Sequence, residues 1–225
     1  MPAAGVGKRM GSDRNKLLLP LLDQSILAWT LLAAAQSQTI QWIGLIGQPI
    51  DEPDFKRILA AINLPLPVQL IRGGDTRQAS VYNGLQALPD SATHVLIHDG
   101  ARCLATPELF DRCTEALAHH DGLIAAVPVK DTIKQVDERG VILATPDRSQ
   151  LWAAQTPQGF AVEPLKHAHQ VAVQQGWAVT DDAALFEQVG RPVAIVKGEE
   201  TNLKITTPVD LAIATFILQD RQGKL

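Results

Sequence analysis

Short apolar segments alternate with segments of helical periodicity along most of the chain. The apolar segments predict five strands: Ile40–Ile46, Val68–Ile71, His94–His98, Leu123–Val127 and Pro192–Val196. The segments between them predict six helices: Ile26–Ala35, Phe55–Ile62, Arg77–Leu88, Pro107–His119, Pro164–Gln175 and Pro208–Leu218. This alternation is typical of an α/β fold with a mostly parallel sheet and helices on both faces. Thr106 and Thr207, each followed by proline, predict helix N-caps.

One segment departs from the alternation. Residues Thr132–Val136 and Val141–Thr145 are rich in β-forming side chains and flank the turn-forming residues 137–140, which predicts a β-hairpin. A two-stranded hairpin alone is at best marginally stable in water. We therefore expect it to pack against another surface.

Composition limits the class of protein. The 225 residues are 46% hydrophobic, which is enough for one core, so a single domain spanning residues 1–225 is predicted. The net charge of −4 argues against a nucleic-acid-binding protein, which normally carries a basic surplus. No apolar stretch reaches the roughly 18 residues of a membrane span, and the N-terminal residues do not resemble a signal peptide. Cys103 and Cys113 form neither a CxxC motif nor a metal-ligand set, so reduced thiols in a cytoplasmic protein are predicted.

The N-terminal segment has the features of a phosphate-binding loop. It reads PAAGVGKRMG from Pro2, and its glycines at 5 and 7 allow backbone N–H groups to approach a phosphate. Positive charge is added by three nearby residues: Lys8, Arg9 and Lys16. The P-loop pattern G-x-x-x-x-G-K-[ST] is absent. The dinucleotide fingerprint would need glycine where Met10 stands, so a Rossmann dehydrogenase is not predicted.

These residues, followed by Lys16, resemble the nucleotidyltransferase loop of the cytidylyltransferase family of the methylerythritol phosphate route to isoprenoids. Six further segments match that family in the same order: GGDTRQASVYNGL from Gly73, HDGARC from His98, VPVKDTIK from Val127, DRSQLWAAQTPQGF from Asp147, TDDAALFE from Thr180 and GEETNLKITTPVDLA from Gly198. The resemblance covers almost the whole chain. It implies a Rossmann-like nucleotidyltransferase fold and transfer of a cytidylyl group from CTP to 2-C-methyl-D-erythritol 4-phosphate, with release of pyrophosphate.

The family's site residues map onto this chain by motif. The resemblance implies four catalytic cations: Arg9, Lys16, Arg148 and Lys204. It implies these contacts to CTP: Pro2, Ala3, Ala4, Gly5, Gly7, Lys8, Gly74, Asp75, Ser80 and Gly100. It implies these contacts to the acceptor: Asp99, Arg102, Thr132, Thr156 and Thr180, with Asp181 nearby. No protein ligand for a metal is predicted, and Mg²⁺ is expected to be held mainly by the phosphates of CTP.

Several of these residues also have a purely structural interpretation. Asp99 and Arg102 follow the strand at 94–98, at the sheet edge where α/β proteins bind ligands, but they could equally form a structural ion pair. Asp75 and Thr180 could be helix N-caps. His98 is better explained as a structural residue than as a catalytic one.

Quaternary structure and the upstream sequence also follow from the resemblance. The hairpin region 128–150 corresponds to an arm that subunits of a homodimer exchange, so that Thr132 and Arg148 would serve the partner's site. Family members usually have an apolar strand before the Pro-Ala-Ala-Gly turn, and this sequence starts at the turn. We therefore expect an additional upstream strand to complete the sheet.

Two other functions stay open from the sequence. One is the same chemistry on another polyol phosphate, such as ribitol 5-phosphate, because use of CTP is more firmly indicated than the acceptor. The other is a nucleotide-binding protein without catalytic activity, although the presence of all four predicted cations argues against it.

Overall fold

A computed structural model describes residues 1–4 and 15–223. Its strands are β1 Pro20–Leu21, β2 Gln24–Ser25, β3 Ile43–Gly47, β4 Val68–Arg72, β5 His94–Ile97, β6 Gly122–Pro128, β7 Gln135–Val136, β8 Ile142–Ala144, β9 Trp152–Ala161 and β10 Ala194–Lys197. Its α-helices are α1 Ile26–Gln36, α2 Glu52–Ile62, α3 Arg77–Gln86, α4 Pro107–Ala116, α5 Val162–Gln175, α6 Asp182–Gln188 and α7 Pro208–Arg221. Short 3₁₀ turns lie at Lys16–Leu18, Pro49–Asp51 and Arg148–Gln150. All five predicted strands and all six predicted helices are present.

The sheet is mostly parallel, as predicted. Four strands pair in the order β10-β6-β9-β5, and β3 pairs with β4 in parallel. Strand β6 is parallel to β10 and antiparallel to β9, which is in turn antiparallel to β5. Strands β5, β6 and β10 therefore run in one direction, and β9 runs against them.

Helices cover both faces of the sheet, which confirms the predicted α/β fold. One core joins α1, α2, α4 and α7 to the sheet through side chains such as Leu31, Phe110 and Leu218. The other joins α3, α5 and α6 through side chains such as Leu165 and Phe186. Strand β6 belongs to both cores, because its successive side chains point to opposite faces.

Strand β9 and helix α6 were not among the predicted elements. Strand β9 reads WAAQTPQGFA, without a β-branched residue except threonine, and contains proline and glycine, which are depleted in strands. It is nevertheless a central strand, because its second half is buried between β5 and β6. Helix α6 has only seven residues and is too short for a clear helical period.

The predicted caps at Thr106 and Thr207 are confirmed. The Thr106 side chain accepts a hydrogen bond from the Leu109 amide, and Thr207 forms a capping box with Asp210. Among the described helices, none is long and apolar enough to cross a membrane.

The predicted hairpin projects as an arm from the base of β6 and β9. Strands β7 and β8 are antiparallel, and the Val129 amide donates to the Leu151 carbonyl at the base of the arm. All five residues of the two strands are exposed. Apolar side chains are among them, and that of Leu143 is 62% exposed. The arm therefore presents an apolar surface that its own chain leaves in solvent.

A groove of about 470 Å³ lies between the facing edges of β3 and β5. Residues Met1–Ala3 occupy its end. There the Ala3 amide donates to the Ile46 carbonyl at 2.7 Å, and the Gly100 amide donates to the Pro2 carbonyl at 3.1 Å. This short segment runs parallel to β3 and links the two parts of the sheet.

The groove leads to a prediction about stability. Adding about six apolar, β-branched residues before Met1 should raise the melting temperature by several degrees, because a strand between β3 and β5 would bury apolar surface on both faces of the sheet. An extension of equal length made of glycine and serine should not. Equal melting temperatures for the two extended proteins, measured by circular dichroism, would show that the sheet does not take up a strand here.

Candidate active site

Three of the predicted site residues meet where the chain leaves β5 and β10. The Lys204 ammonium lies 2.7 Å from Asp99 Oδ2, and the Lys16 ammonium donates to the Ile205 carbonyl at 2.7 Å. The Ile205 amide in turn donates to the Ala101 carbonyl. Residues distant in sequence thus bring the Asp99–Lys204 ion pair and the anchor point of Lys16 to the carboxyl end of β5, where ligands bind in such sheets.

Asp99 is held as a carboxylate. Burial raises its pKa, but Lys204, through its charge and a hydrogen bond, outweighs burial and brings the pKa below its usual value. The Asp99 side chain is 14% exposed, whereas that of Lys204 is 45% exposed. The carboxylate is therefore ionised at neutral pH and can accept hydrogen bonds, and the ammonium is open to solvent.

Arg102 is attached to the backbone rather than to Asp99. Its guanidinium donates to the Asn202 carbonyl at 2.7 Å and to the Ala154 carbonyl at 3.4 Å. The alternative of a structural Asp99–Arg102 ion pair is thus wrong, because Asp99 pairs with Lys204. The Arg102 side chain fastens the loop before Lys204 to β9, and its Nε is buried with no hydrogen-bond partner.

His98 is buried directly beside this cluster. Its Nδ1 lies 3.0 Å from the Thr156 hydroxyl, and its Nε2 lies 3.2 Å from the Arg102 carbonyl. The same Thr156 hydroxyl accepts a hydrogen bond from the Asp99 amide at 3.0 Å. Burial lowers the pKa of His98 to about 4, so its imidazole is neutral at pH 7.

The predicted cytosine pocket is a tight loop between β4 and α3. The Ser80 hydroxyl accepts from the Gly74 amide at 3.0 Å and donates to the Thr76 carbonyl at 2.8 Å. A Cβ at Gly74 would lie 2.6 Å from the Cβ of Ala79, so the loop requires glycine there. Asp75 is exposed, and the helix N-cap is Thr76, which corrects the alternative assignment of Asp75 as the cap.

The N-terminal loop is described only at its two ends. Ala3 is buried, and its carbonyl accepts from the Asn15 side-chain amide at 2.6 Å. Asn15 also caps the turn that carries Lys16, so the loop end and Lys16 are fixed together. Gly5, Gly7, Lys8 and Arg9 lie outside the described residues. Pro2 and Gly100 are hydrogen-bonded to each other, and Ala4 follows them at the same edge.

Two predicted residues lie on the arm. Thr132 and Arg148 are exposed, and the Arg148 guanidinium donates to the Lys130 carbonyl at 2.7 Å. Neither has a described contact with Asp99 or Lys204 within its own chain. The ion pair of Lys130 with Glu200 connects the base of the arm to the loop that leads to Lys204.

Thr180 and Asp181 precede α6. Thr180 is exposed, and Asp181 is the N-cap, because its side chain accepts from the Ala184 amide at 3.1 Å. The alternative assignment of Thr180 as the cap is therefore wrong. The Gln158 side-chain amide donates to Asp181 at 2.8 Å, which ties this segment to β9.

Sequence reasoning did not single out Gln155 and Asn202, which hold the site together. The Asn202 side-chain amide, fully buried, donates to Gln155 Oε1 at 3.1 Å and to the Thr156 carbonyl at 2.8 Å. Gln155 donates to the Glu199 carbonyl at 2.9 Å. Both lie within segments that match the family. This position could have identified them, because polar residues in buried segments need hydrogen-bond partners.

Comparisons with known proteins identify the family of this chain. A family described as 2-C-methyl-D-erythritol 4-phosphate cytidylyltransferase matches residues 1–220. A protein of that name from Nostoc punctiforme is 68% identical over 221 residues, covering 98% of this chain and 97% of the relative. A crystal structure of 4-diphosphocytidyl-2C-methyl-D-erythritol synthase from Anaerococcus prevotii is 33% identical with a TM-score of 0.87, covering 97% of this chain and 93% of that one. The cytidylyltransferase structure from Thermus thermophilus is 33% identical with a TM-score of 0.79, covering 96% of each chain.

The buried imidazole predicts a pH dependence of stability. The pKa of His98 is about 4 in the folded protein and 6.5 ordinarily, so between these values the unfolded chain binds a proton that the folded chain does not. Stability should fall as the pH drops from 6.5 towards 4, by up to about 3 kcal/mol from this group. Urea unfolding across this range should show a shallower pH dependence in His98→Asn than in the natural sequence. Equal slopes would contradict the assignment.

Proposed function

We infer the activity of this chain from the fact that it belongs to the 2-C-methyl-D-erythritol 4-phosphate cytidylyltransferase family. It is a nucleotidyltransferase that joins CTP to 2-C-methyl-D-erythritol 4-phosphate in the methylerythritol phosphate pathway. A phosphate oxygen of the acceptor forms a bond to the α-phosphorus of CTP, the bond from that phosphorus to the bridging oxygen of the β-phosphate breaks, and pyrophosphate leaves. The observation that best supports this reaction at this site is the meeting of Lys16, Asp99 and Lys204.

Cations are what this chemistry needs most. Two anionic substrates must come together, and negative charge grows on the departing pyrophosphate, so preorganised positive groups provide most of the stabilisation. We assign Arg9 and Lys16 to the triphosphate, and Lys204 to the acceptor phosphate. The bond from Lys16 to the Ile205 carbonyl, one residue from Lys204, supports this division, because it anchors the Lys16 ammonium to the loop that carries Lys204.

The cytosine half of the site is assigned to the loop at Gly74. Cytosine presents an amino donor, a ring-nitrogen acceptor and a carbonyl, which backbone groups and a hydroxyl can match. The rigid bonds between Gly74, Thr76 and Ser80 support this assignment, since a fixed set of donors and acceptors can distinguish cytosine from uracil. Backbone groups of Pro2, Ala3 and Ala4, together with Gly100, complete the proposed pocket.

The acceptor half is assigned to Asp99, Arg102 and Thr180 from one chain and Thr132 and Arg148 from an arm, with Thr156 buried behind Asp99 and bonded to its amide. The ionised state of Asp99 supports a role as acceptor of hydrogen bonds from substrate hydroxyl groups. Arg148 can grip a phosphate in bidentate fashion, whereas Lys204 acts as a point charge.

Mg²⁺ is the proposed metal. Among the described residues, no cluster of three or more histidine, cysteine or carboxylate side chains could hold an ion. An ion ligated mainly by phosphate oxygens and water fits such a site, since Mg²⁺ usually keeps several waters. Bound with CTP, it would neutralise part of the triphosphate charge.

We propose that the arm is exchanged between two subunits of a homodimer. The exposed apolar side chains of β7 and β8 support this, as does the marginal stability of an isolated hairpin. Symmetric exchange gives a closed two-fold dimer. We also propose the cytoplasm as the location, because Cys103 and Cys113 are unpaired and burial raises the pKa of both thiols to about 12, as suits permanently reduced residues.

The proposed function is tested by pyrophosphate release. With 2-C-methyl-D-erythritol 4-phosphate and Mg²⁺, CTP should support turnover at least about a hundredfold faster than UTP, because the wrong base leaves polar groups of the pocket unpaired. ATP and GTP should be poorer still. Ribitol 5-phosphate in place of the acceptor should give little release. Comparable rates with UTP would disprove the cytosine pocket, and a preference for ribitol 5-phosphate would disprove the acceptor.

The shared site predicts recovery of activity in mixed dimers. Arg148→Ala and Lys204→Ala should each be inactive alone. If Arg148 serves the partner's site, one site of the mixed dimer carries both defects and the other carries none. Each mixed dimer should therefore have up to about half the activity of a natural dimer, measured by pyrophosphate release.

A matched control places both substitutions in one chain and mixes it with the natural protein. Under arm exchange, every site of that mixed dimer carries one defect, so the mixed dimer should be inactive. Arg139→Ala, at the exposed tip of the arm, should leave activity unchanged. Activity in the control dimer, without recovery in the first mixture, would show that each site is built from one chain.

A further inference from the structure

The backbone of Asp99 is positioned by two buried side chains. Strand β5 ends at Ile97, and residues 98–102 form a turn in which the Arg102 amide donates to the Asp99 carbonyl at 3.0 Å. The Asp99 amide, which is no longer part of the strand, donates to the Thr156 hydroxyl at 3.0 Å. The direction in which the Asp99 carboxylate leaves the turn is therefore set from β9, through this hydroxyl.

The hydrogen bonds around His98 have only one consistent arrangement. The Arg102 carbonyl can only accept, so His98 Nε2 carries the proton. Because the imidazole is neutral, Nδ1 is then an acceptor, and the Thr156 hydroxyl must donate to it. The hydroxyl oxygen can still accept from the Asp99 amide, so each group in this series of hydrogen bonds is either a donor or an acceptor in a defined way.

The ring of His98 is also fixed in orientation. It packs edge-on against the Phe110 ring, with centroids 4.8 Å apart, and the residue is 2% exposed. Both ring nitrogens are engaged within the site, one towards β9 and the other across the turn. A histidine that only filled the core would not need one bond to the turn that carries Asp99 and a second to the hydroxyl that holds the Asp99 amide.

We propose that His98 and Thr156 are positioning residues that orient Asp99, with its partner Lys204, for the acceptor substrate. This rests on the proposed function, since it concerns the same reaction. The neutral imidazole holds the Thr156 hydroxyl in one rotamer, and that hydroxyl holds the Asp99 amide. Small displacements of a substrate-binding group can reduce kcat/KM by about a hundredfold, so a buried hydroxyl that holds such a group can control how well the acceptor binds.

The proposal predicts a change confined to one substrate. Thr156→Val keeps the shape of threonine but removes the hydroxyl, and should raise the KM for the acceptor about ten- to hundredfold. The KM for CTP should stay within about twofold and kcat should change little, because binding of only one substrate is weakened. Thr156→Ser should keep the acceptor KM close to that of the natural protein, because it keeps the hydroxyl. His98→Asn, which retains an acceptor at the position of Nδ1, should keep a lower acceptor KM than His98→Gln, which does not.

Thr215→Val is the matched control. It removes a threonine hydroxyl that donates to the Leu211 carbonyl within α7 and has no described contact with the turn, so both KM values should stay unchanged. Melting temperatures of all variants separate positioning from stability. The proposal is overturned if Thr156→Ser and Thr156→Val raise the acceptor KM equally, or if the KM values for both substrates rise together.

A spectroscopic measurement tests the proposal independently of activity. In ¹⁵N-histidine spectra at pH 7, His98 should show a protonated Nε2 and an unprotonated Nδ1, and Thr156→Val should perturb the Nδ1 signal more than Thr156→Ser does. The opposite tautomer, or an imidazolium, would overturn the arrangement. If the natural protein shows this tautomer but no turnover of CTP with the acceptor, the proposed function fails while the hydrogen-bonded chain stands.

Discussion

The candidate site depends on the buried side-chain amide of Asn202. Asn202 lies in a loop without regular secondary structure, yet its side chain is completely buried and donates to Gln155 and to the Thr156 carbonyl of β9. Its backbone carbonyl accepts from Arg102, whereas its side-chain Oδ1 is buried without a described partner. Leaving the side-chain NH₂ unpaired as well would cost about 1–3 kcal/mol, which favours this conformation of the loop. Lys204 follows two residues later, and its position against Asp99 is a consequence of where Asn202 is fastened.

This constraint explains how an acidic protein gathers cations at one edge. With a net charge of −4, the chain has no general positive field to attract nucleotides. Lys16 is instead anchored to the loop that carries Lys204 by its bond to the Ile205 carbonyl, and the Ile205 amide ties that loop to the Ala101 carbonyl. Asp99 partly neutralises the charge of Lys204 before any anion binds.

The sequence predicted the apolar strands of the sheet better than the polar strand β9. Apolar runs such as 123–127 were sufficient because both faces of β6 are buried, which leaves a continuous hydrophobic signal. Strand β9 gave no such signal, because Gln155, Thr156 and Gln158 are polar side chains that are buried by hydrogen bonding. Burial of this kind depends on partners far away in sequence, which periodicity cannot reveal.

In the candidate site, the sequence likewise identified individual residues but not the contacts between them. Motifs identified Lys16, Asp99 and Lys204, but not that Asp99 pairs with Lys204 rather than with Arg102, which is closer in sequence. The tether between the β5 turn and the loop at 198–205 passes through β9, and β9 was the strand that the hydrophobic pattern did not predict. Gln155 and Asn202 were therefore missed for the same reason as β9, because polar side chains buried by hydrogen bonding leave no hydrophobic pattern.

The arm is joined to the same end of the sheet as the candidate site. Its base is a direct continuation of β6 and β9, and Lys130 forms an ion pair with Glu200 in the loop that leads to Lys204. If the arm crosses to a partner as proposed, the strand that fixes Asp99 through Thr156 also carries Arg148 towards the other site. Strand β9 would then link the two sites, because it holds the Asp99 amide through Thr156 and begins just after Arg148. The burial of Gln155 and Thr156 within β9 would serve both subunits, by making the arm project from a fixed base rather than from a mobile loop.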